Sequence, residues 1–165
     1  MAQTVYDPPV ATYIPLQTIT LGSAASSVTF ADIPQTYRDL VIVMDASASG
    51  TAGGRMFPNN DTASTYNTIR MYGDGSSAVS STITNTYGYI GDVFTSKTPI
   101  IIQLFDYSAT DKHKSWLYRM NSSANYVMAG ASRWPSTDAI TSLVFTLNSG
   151  TYSSGTTFSL YGIEA

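Results

Sequence analysis

The sequence predicts an all-β protein, an antiparallel two-sheet β-sandwich. Three observations predict it. The chain has 165 residues but only 3 Lys and 1 Glu, so residues that hold exposed helix faces are scarce. It has 22 Thr, and its 12 Tyr add to a plentiful set of β-branched and aromatic residues. Short stretches of period two recur at regular spacing between turn signals, and no stretch shows a convincing amphipathic helix.

The elements follow in order. Residues 1–12, MAQTVYDPPVAT, read as an extended arm, because Pro8 and Pro9 cannot donate to a ladder and favour polyproline II. The sandwich domain is expected over residues 13–165. YIPLQTITL (13–21) and SVTF (27–30) read as strands, with Pro15 near a strand start or on an edge. DLVIVMD (39–45) is apolar on both faces, which predicts a central strand buried on both sides. ASASGTAGG (46–54) reads as a flexible loop, and NTIRMYG (67–73) as a strand closed by the Gly73-Asp74-Gly75 turn.

Residues 76–94 are Ser- and Thr-rich with an aromatic patch, and Gly88 and Gly91 argue against a helix there. PIIIQLFDY (99–107) is a second doubly apolar strand. HKSWLYRM (113–120), NYVMAGASRW (125–134), AITSLVFTL (139–147) and TTFSLYGI (156–163) complete a set of about nine strands. That pattern predicts a jelly roll. In the last strand Phe158, Leu160 and Gly162 share one face. Tyr161 and Ile163 then point outward, where a solitary molecule would place polar groups.

Charge and chemistry exclude several function classes. The net charge is −3 and charged residues make up 12% of the chain, with no basic run beyond Lys112-His113-Lys114. Nucleic acid binding, which needs a basic face, is therefore not expected. A surface rich in Tyr and poor in Lys and Glu suits protein–protein contact. With no Cys, neither a disulfide framework nor a thiolate metal site can form. No signal peptide and no apolar run of membrane-spanning length is visible. Synthesis in a host cytoplasm is the expectation, with no membrane partner.

No catalytic, cofactor or metal site is expected. His113 is the sole histidine and lies between two lysines, without a nucleophile elbow. Glu164 is the sole glutamate, and most of the aspartates sit in or beside turns, which Asx side chains explain. Asn59-Asn60-Asp61 lacks the ligand spacing of a calcium loop. Trp116, Trp134, Tyr87 and Tyr89 form a possible sugar platform, although core or subunit packing is the commoner use of such rings.

Three stretches resemble a widespread group of tailed-bacteriophage virion proteins. They are IPLQTITLGSAASSVTFADIPQTYRDLVIV (14–43), FDYSATDKHKSW (105–116) and SRWPSTDAITSLVFTL with GTTFSLYGIEA (132–165). The combination of IPQTY (33–37) with LYGI (160–163) carries most of the likeness. At FPNNDTASTY (57–66) the chain departs from the group's Phe-Asn-Gly-Asp pattern. The resemblance implies a structural β-sandwich module of a phage head, tail tip or fibre, with no enzyme active site.

Beginning at its own Met, the chain reads as a whole small protein rather than the tip of a long fibre. The expectation is a capsid decoration, or cement, protein on the outer surface of the virion. Its partners would be the major capsid protein and itself, as a homotrimer. Val5, Tyr6, Pro8 and Pro9 in the arm and Tyr161 and Ile163 in the last strand are the expected contacts. The alternative is a tail-tip or fibre module that binds host glycan through Tyr87, Tyr89, Trp116 or Trp134.

Overall fold

The structure is a computed structural model that describes residues 12–123 and 125–164. The arm residues Val5, Tyr6, Pro8 and Pro9 lie outside the described residues. The fold is all-β, with twelve antiparallel strands in two sheets and no helix among the described residues. The chain runs β1 (Tyr13–Thr20), β2 (Ser27–Phe30), β3 (Asp39–Ala46), β4 (Ala52–Pro58), β5 (Tyr66–Gly73) and β6 (Ala78–Asn85). It continues through β7 (Gly88–Val93), β8 (Thr98–Phe105), β9 (Lys114–Ser122), β10 (Tyr126–Trp134), β11 (Leu143–Leu147) and β12 (Thr157–Ile163).

The large sheet has the order β1-β12-β3-β8-β9-β10-β5-β6, and the small sheet β2-β11-β4-β7. The sandwich is what these pairings establish. A jelly roll is a finer statement than they carry, because the sheets hold eight and four strands rather than an even split.

One core lies between the sheets. Alternation supplies it: Leu40, Ile42 and Met44 of β3, Ile100, Ile102 and Leu104 of β8, and Trp116, Tyr118 and Met120 of β9 all point inward and are buried. Phe30, Phe145 and Phe158 stack edge to face or tilted through the middle, with ring centres 5.5–6.0 Å apart. In β1 the register shifts between Pro15 and Gln17. This bulge places both Leu16 and Ile19 against the core, which strict alternation forbids.

Two stretches depart from the sequence expectation. Gly53 and Gly54 belong to β4 rather than to a free loop, and Ala46, Ala48 and Ala52 beside them are buried. A Cβ on Gly54 would meet Gly91 O and Ile90 Cγ1, both at 2.9 Å. These glycines are there for close approach of chains, not for mobility. Gly88 likewise lies within β7, where a Cβ would fall 2.0 Å from the Trp116 ring.

IPQTY and LYGI meet at one end of the sandwich. Gln35 Nε2 donates to Ile33 O (2.8 Å) and to Ile140 O (2.9 Å). Ile33 N donates to Thr141 O (3.0 Å), Tyr107 Oη donates to Pro34 O, and Arg38 N donates to Ile163 O (2.9 Å). The Tyr37 ring fills the space beside Gly162, where a Cβ would sit 2.4 Å from its Cγ. Each motif is thus the other's packing partner.

Gly162→Ala should overpack this contact and cost about 1–3 kcal/mol, a fall in Tm of roughly 3–10 °C. In a Tyr37→Ala background the same change should cost much less. Equal costs in the two backgrounds, measured by thermal unfolding, would show that the ring and the glycine do not act together.

Candidate functional site

Each strand of the large sheet has one face turned away from the core. The register aligns these outward residues into rows that cross seven strands. One row runs Tyr161–Val41–Gln103–Leu117–Ala131–Ile69–Thr82. The next runs Ser159–Val43–Ile101–Arg119–Ala129–Met71–Ser80.

This face is apolar where a solvated sheet face is normally polar. Ile69 is 61% exposed, Met71 63%, Val127 54% and Leu117 48%. Val43 is also exposed, and Ile101 is half-buried. Between β5, β8, β9 and β10 the surface forms a groove of about 540 Å³, with Ile69, Met71, Ile101 and Leu117 in its lining. At strand and residue spacings of about 4.8 and 3.3 Å, the whole face covers on the order of 700 Å². That matches the roughly 800 Å² that each partner contributes to a standard interface.

The doubly apolar strands were the signal for this face. DLVIVMD and PIIIQLF are central in the sheet, as expected, but their second face is covered only in part: Asp39 and Val41 are buried, Ile101 and Gln103 are half-buried, and Val43 is exposed. The rest of that second face, expected to be buried inside the molecule, joins the open surface at Val43 and Ile101. The missed residues, Ile69, Met71, Leu117 and Val127, are those that interrupt the polar half of each alternation.

One charge sits in this apolar field. Arg119 is exposed at the groove. The other seven cations all have partners. Arg38, Lys97 and Lys112 pair with Asp39, Asp45 and Asp106. Arg55 lies over the Tyr87 ring, Arg70 Nη1 donates to Tyr89 Oη, and Arg133 Nη1 lies 3.5 Å from His113 Nδ1. Lys114 is fully buried and donates from Nζ to Lys112 O (2.9 Å) and Thr137 O (3.2 Å). Arg119 alone has no hydrogen bond, ion pair or ring contact among the described residues. The cluster Lys112-His113-Lys114 is thus divided between surface and interior.

Of the sequence-predicted contacts, Tyr161 and Ile163 lie on the open face, half-buried on β12. Tyr161 packs edge to face with Tyr13 at 6.4 Å. The sugar-platform reading is corrected for three of its four rings. Trp116, Trp134 and Tyr89 are buried in the core, at 0, 2 and 5% exposure. Tyr89 Oη donates to Asp92, and burial together with that carboxylate pushes its hydroxyl pKa far up. Tyr87 is half-buried with Arg55 over its ring at 4.3 Å.

Asn59, Asn60 and Asp61 are occupied as turn formers. Asn59 and Asn60 adopt positive φ, and Asn59 Oδ1 accepts from Thr141 N and Ser142 N. Among the described residues no group of three or more His, Cys, Asp or Glu is placed to hold a metal ion. Comparison with protein-family models and with curated proteins finds no match to the chain.

Trp134 has a structural carboxylate partner. Its Nε1 donates to Asp61 Oδ2 at 2.6 Å, while Ala63 N and Ser64 N donate to Oδ1. Burial opposes ionisation of Asp61, but these hydrogen bonds outweigh it and lower the pKa from 3.8 to about 2. A lowered folded-state pKa adds stability that is fully present above the unfolded value. That stability is lost as pH falls from about 4 to about 2. Asp61→Asn should therefore be less stable than the parent at pH 7, with the difference shrinking over that window. Thermal unfolding across pH with Trp fluorescence as the signal measures it; a difference independent of pH would sink the assignment.

Proposed function

We propose that the chain is a structural subunit of a virion, a capsid decoration protein that attaches through the open face of its large sheet. The observation that carries the reading is the continuous apolar face on a molecule with few charges. Its exposed side chains, at about half exposure, would each gain on the order of 1 kcal/mol on burial. The assembly part of the reading rests on this face. The phage part rests on the sequence likeness carried by IPQTY and LYGI. Among the described residues His113 is exposed beside Arg133, and carboxylates in turns such as Asp61 and Asp74 hold their own backbones.

The mechanism is mass action. A subunit that binds the intact shell but not the ruptured one stabilises the shell by its binding free energy. A rigid sandwich suits this role, because little order has to be gained on docking. The major capsid protein and sister copies are the partners this reading assigns, with the homotrimer as the expected unit.

Replacing Ile69 and Met71 together by Glu tests the face. Both side chains are more than half exposed, so the fold should change by no more than about 0.5 kcal/mol per site. Loading onto purified particles should fall at least about tenfold, equivalent to about 1.4 kcal/mol. Particles lacking the protein should rupture at lower temperature or milder osmotic shock. Undiminished loading of the folded variant would overturn the role of this face.

A further inference from the structure

The groove around Arg119 asks for a particular ligand: a short apolar segment bearing one carboxylate. The chain carries such a segment. Residues 2–11, AQTVYDPPVA, contain a single charged side chain, Asp7, flanked by Val5, Tyr6, Pro8, Pro9 and Val10. We propose that the groove between β5, β8, β9 and β10 seats residues 2–11 of a second copy, with Asp7 on Arg119 and Val5 and Tyr6 against Ile69, Met71 and Leu117. This deepens the assembly reading above and rests on it.

Direction and reach select a second copy over the chain's own leader. Tyr13 pairs with Ile163 on β12, which pairs with Asp39 on β3. Following the register onward, Arg119 lies four strands across and four residues further along the direction in which β1 runs. The separation is about 19 Å across and 13 Å along, or about 23 Å.

The course of β1, continued backward from Tyr13, leads away from Arg119. To reach Arg119 the chain's own leader would have to reverse over Val10 to Thr12, since consecutive prolines such as Pro8 and Pro9 disfavour a reversal further back. From such a reversal Asp7 lies only about 10 Å further on. The two side chains together span less than the remainder. A leader delivered by a neighbour meets no such limit. Passing each leader to the next copy is a head-to-tail contact, and it closes into a ring when the rotation permits.

Because the protein has no cysteine, paired thiols can be introduced cleanly. Full-length Asp7→Cys and Arg119→Cys chains are mixed under mild oxidation and run on a non-reducing gel. The expected product is a covalent dimer of one chain of each kind, with far less from either variant alone. In parallel, sedimentation follows the charge variants. Asp7→Arg and Arg119→Asp should each weaken self-association at least about tenfold, and the chain carrying both changes should recover most of it.

An intrachain disulfide in the chain with both cysteines, without the mixed dimer, would overturn the proposal in favour of the chain's own leader. A monomeric parent protein at assay concentration, or association indifferent to both charges, would also overturn it. Thermal unfolding of each variant shows that it is folded. None of these measurements uses particles, so their failure leaves shell loading standing. Conversely, a chain that exchanges leaders but never loads onto particles sinks only the shell reading.

Discussion

Three aromatic rings occupy the places of missing Cβ atoms, and one of them, Trp116 against Gly88, sets how closely the two layers approach. Trp116 fills the space at Gly88, Tyr118 at Gly130 and Tyr37 at Gly162, with ideal Cβ positions 2.0–2.4 Å from ring or hydroxyl atoms. Close packing leaves no alternative site for groups this large. Each ring therefore ties two segments together: Trp116 joins β9 of the large sheet to β7 of the small one, Tyr118 holds β9 to its neighbour β10, and Tyr37 ties the loop before β3 to β12. Trp116 Nε1 also lies 3.4 Å from Tyr89 O, so burial of the indole leaves its donor partnered. The remaining core packs around these fixed rings.

A sandwich of this kind leaves much of the outward face of its wide sheet without an internal use among the described residues. Scarcity of charge sharpens that. Seven of the eight cations are engaged within the described residues, and several carboxylates hold backbone amides in turns, Asp61 and Asp74 among them. What remains in its two central rows is mostly apolar side chains, with Gln103, Thr82, Ser159 and Ser80 among them and Arg119 as the charge. A surface of that composition discriminates through shape and one ion pair rather than through a charge pattern.

Much of the fold was legible in the sequence, because period two is a strong signal when the polar half is Ser and Thr. β2, β3, β5 and β8 to β12 fall within a few residues of their expected places. β4 and β7 were hidden by their glycines. In a sequence glycine marks both a free turn and a place where chains crowd, and only the neighbours distinguish Gly50, with open space around it, from Gly54. The Pro15 bulge was equally hidden, since Leu16 and Ile19 look out of phase until the register shifts.

The open face was half legible. Its outward strand residues could be read off the alternation, and Tyr161 and Ile163 were. Which side of DLVIVMD and PIIIQLF would be covered depends on how many strands the second sheet has, and no local pattern carries that count. The aromatic residues misled for a related reason. Trp134 and Tyr89 are polar at one edge, which suits a sugar, but Asp61 and Asp92 satisfy those edges inside the molecule.

The shifted register at Pro15 has a consequence for how such sheets can meet. β1 is one border of the large sheet, and there proline withholds a donor while the bulge bends the strand, which discourages a foreign strand from docking. The opposite border, β6, has neither proline nor lysine and presents a regular ladder. A ribbon with one hindered margin pairs off more readily through the other. Growth of this sheet from one molecule to the next would need both margins, and the ring and the bulge on the first strand act against pairing at one of them.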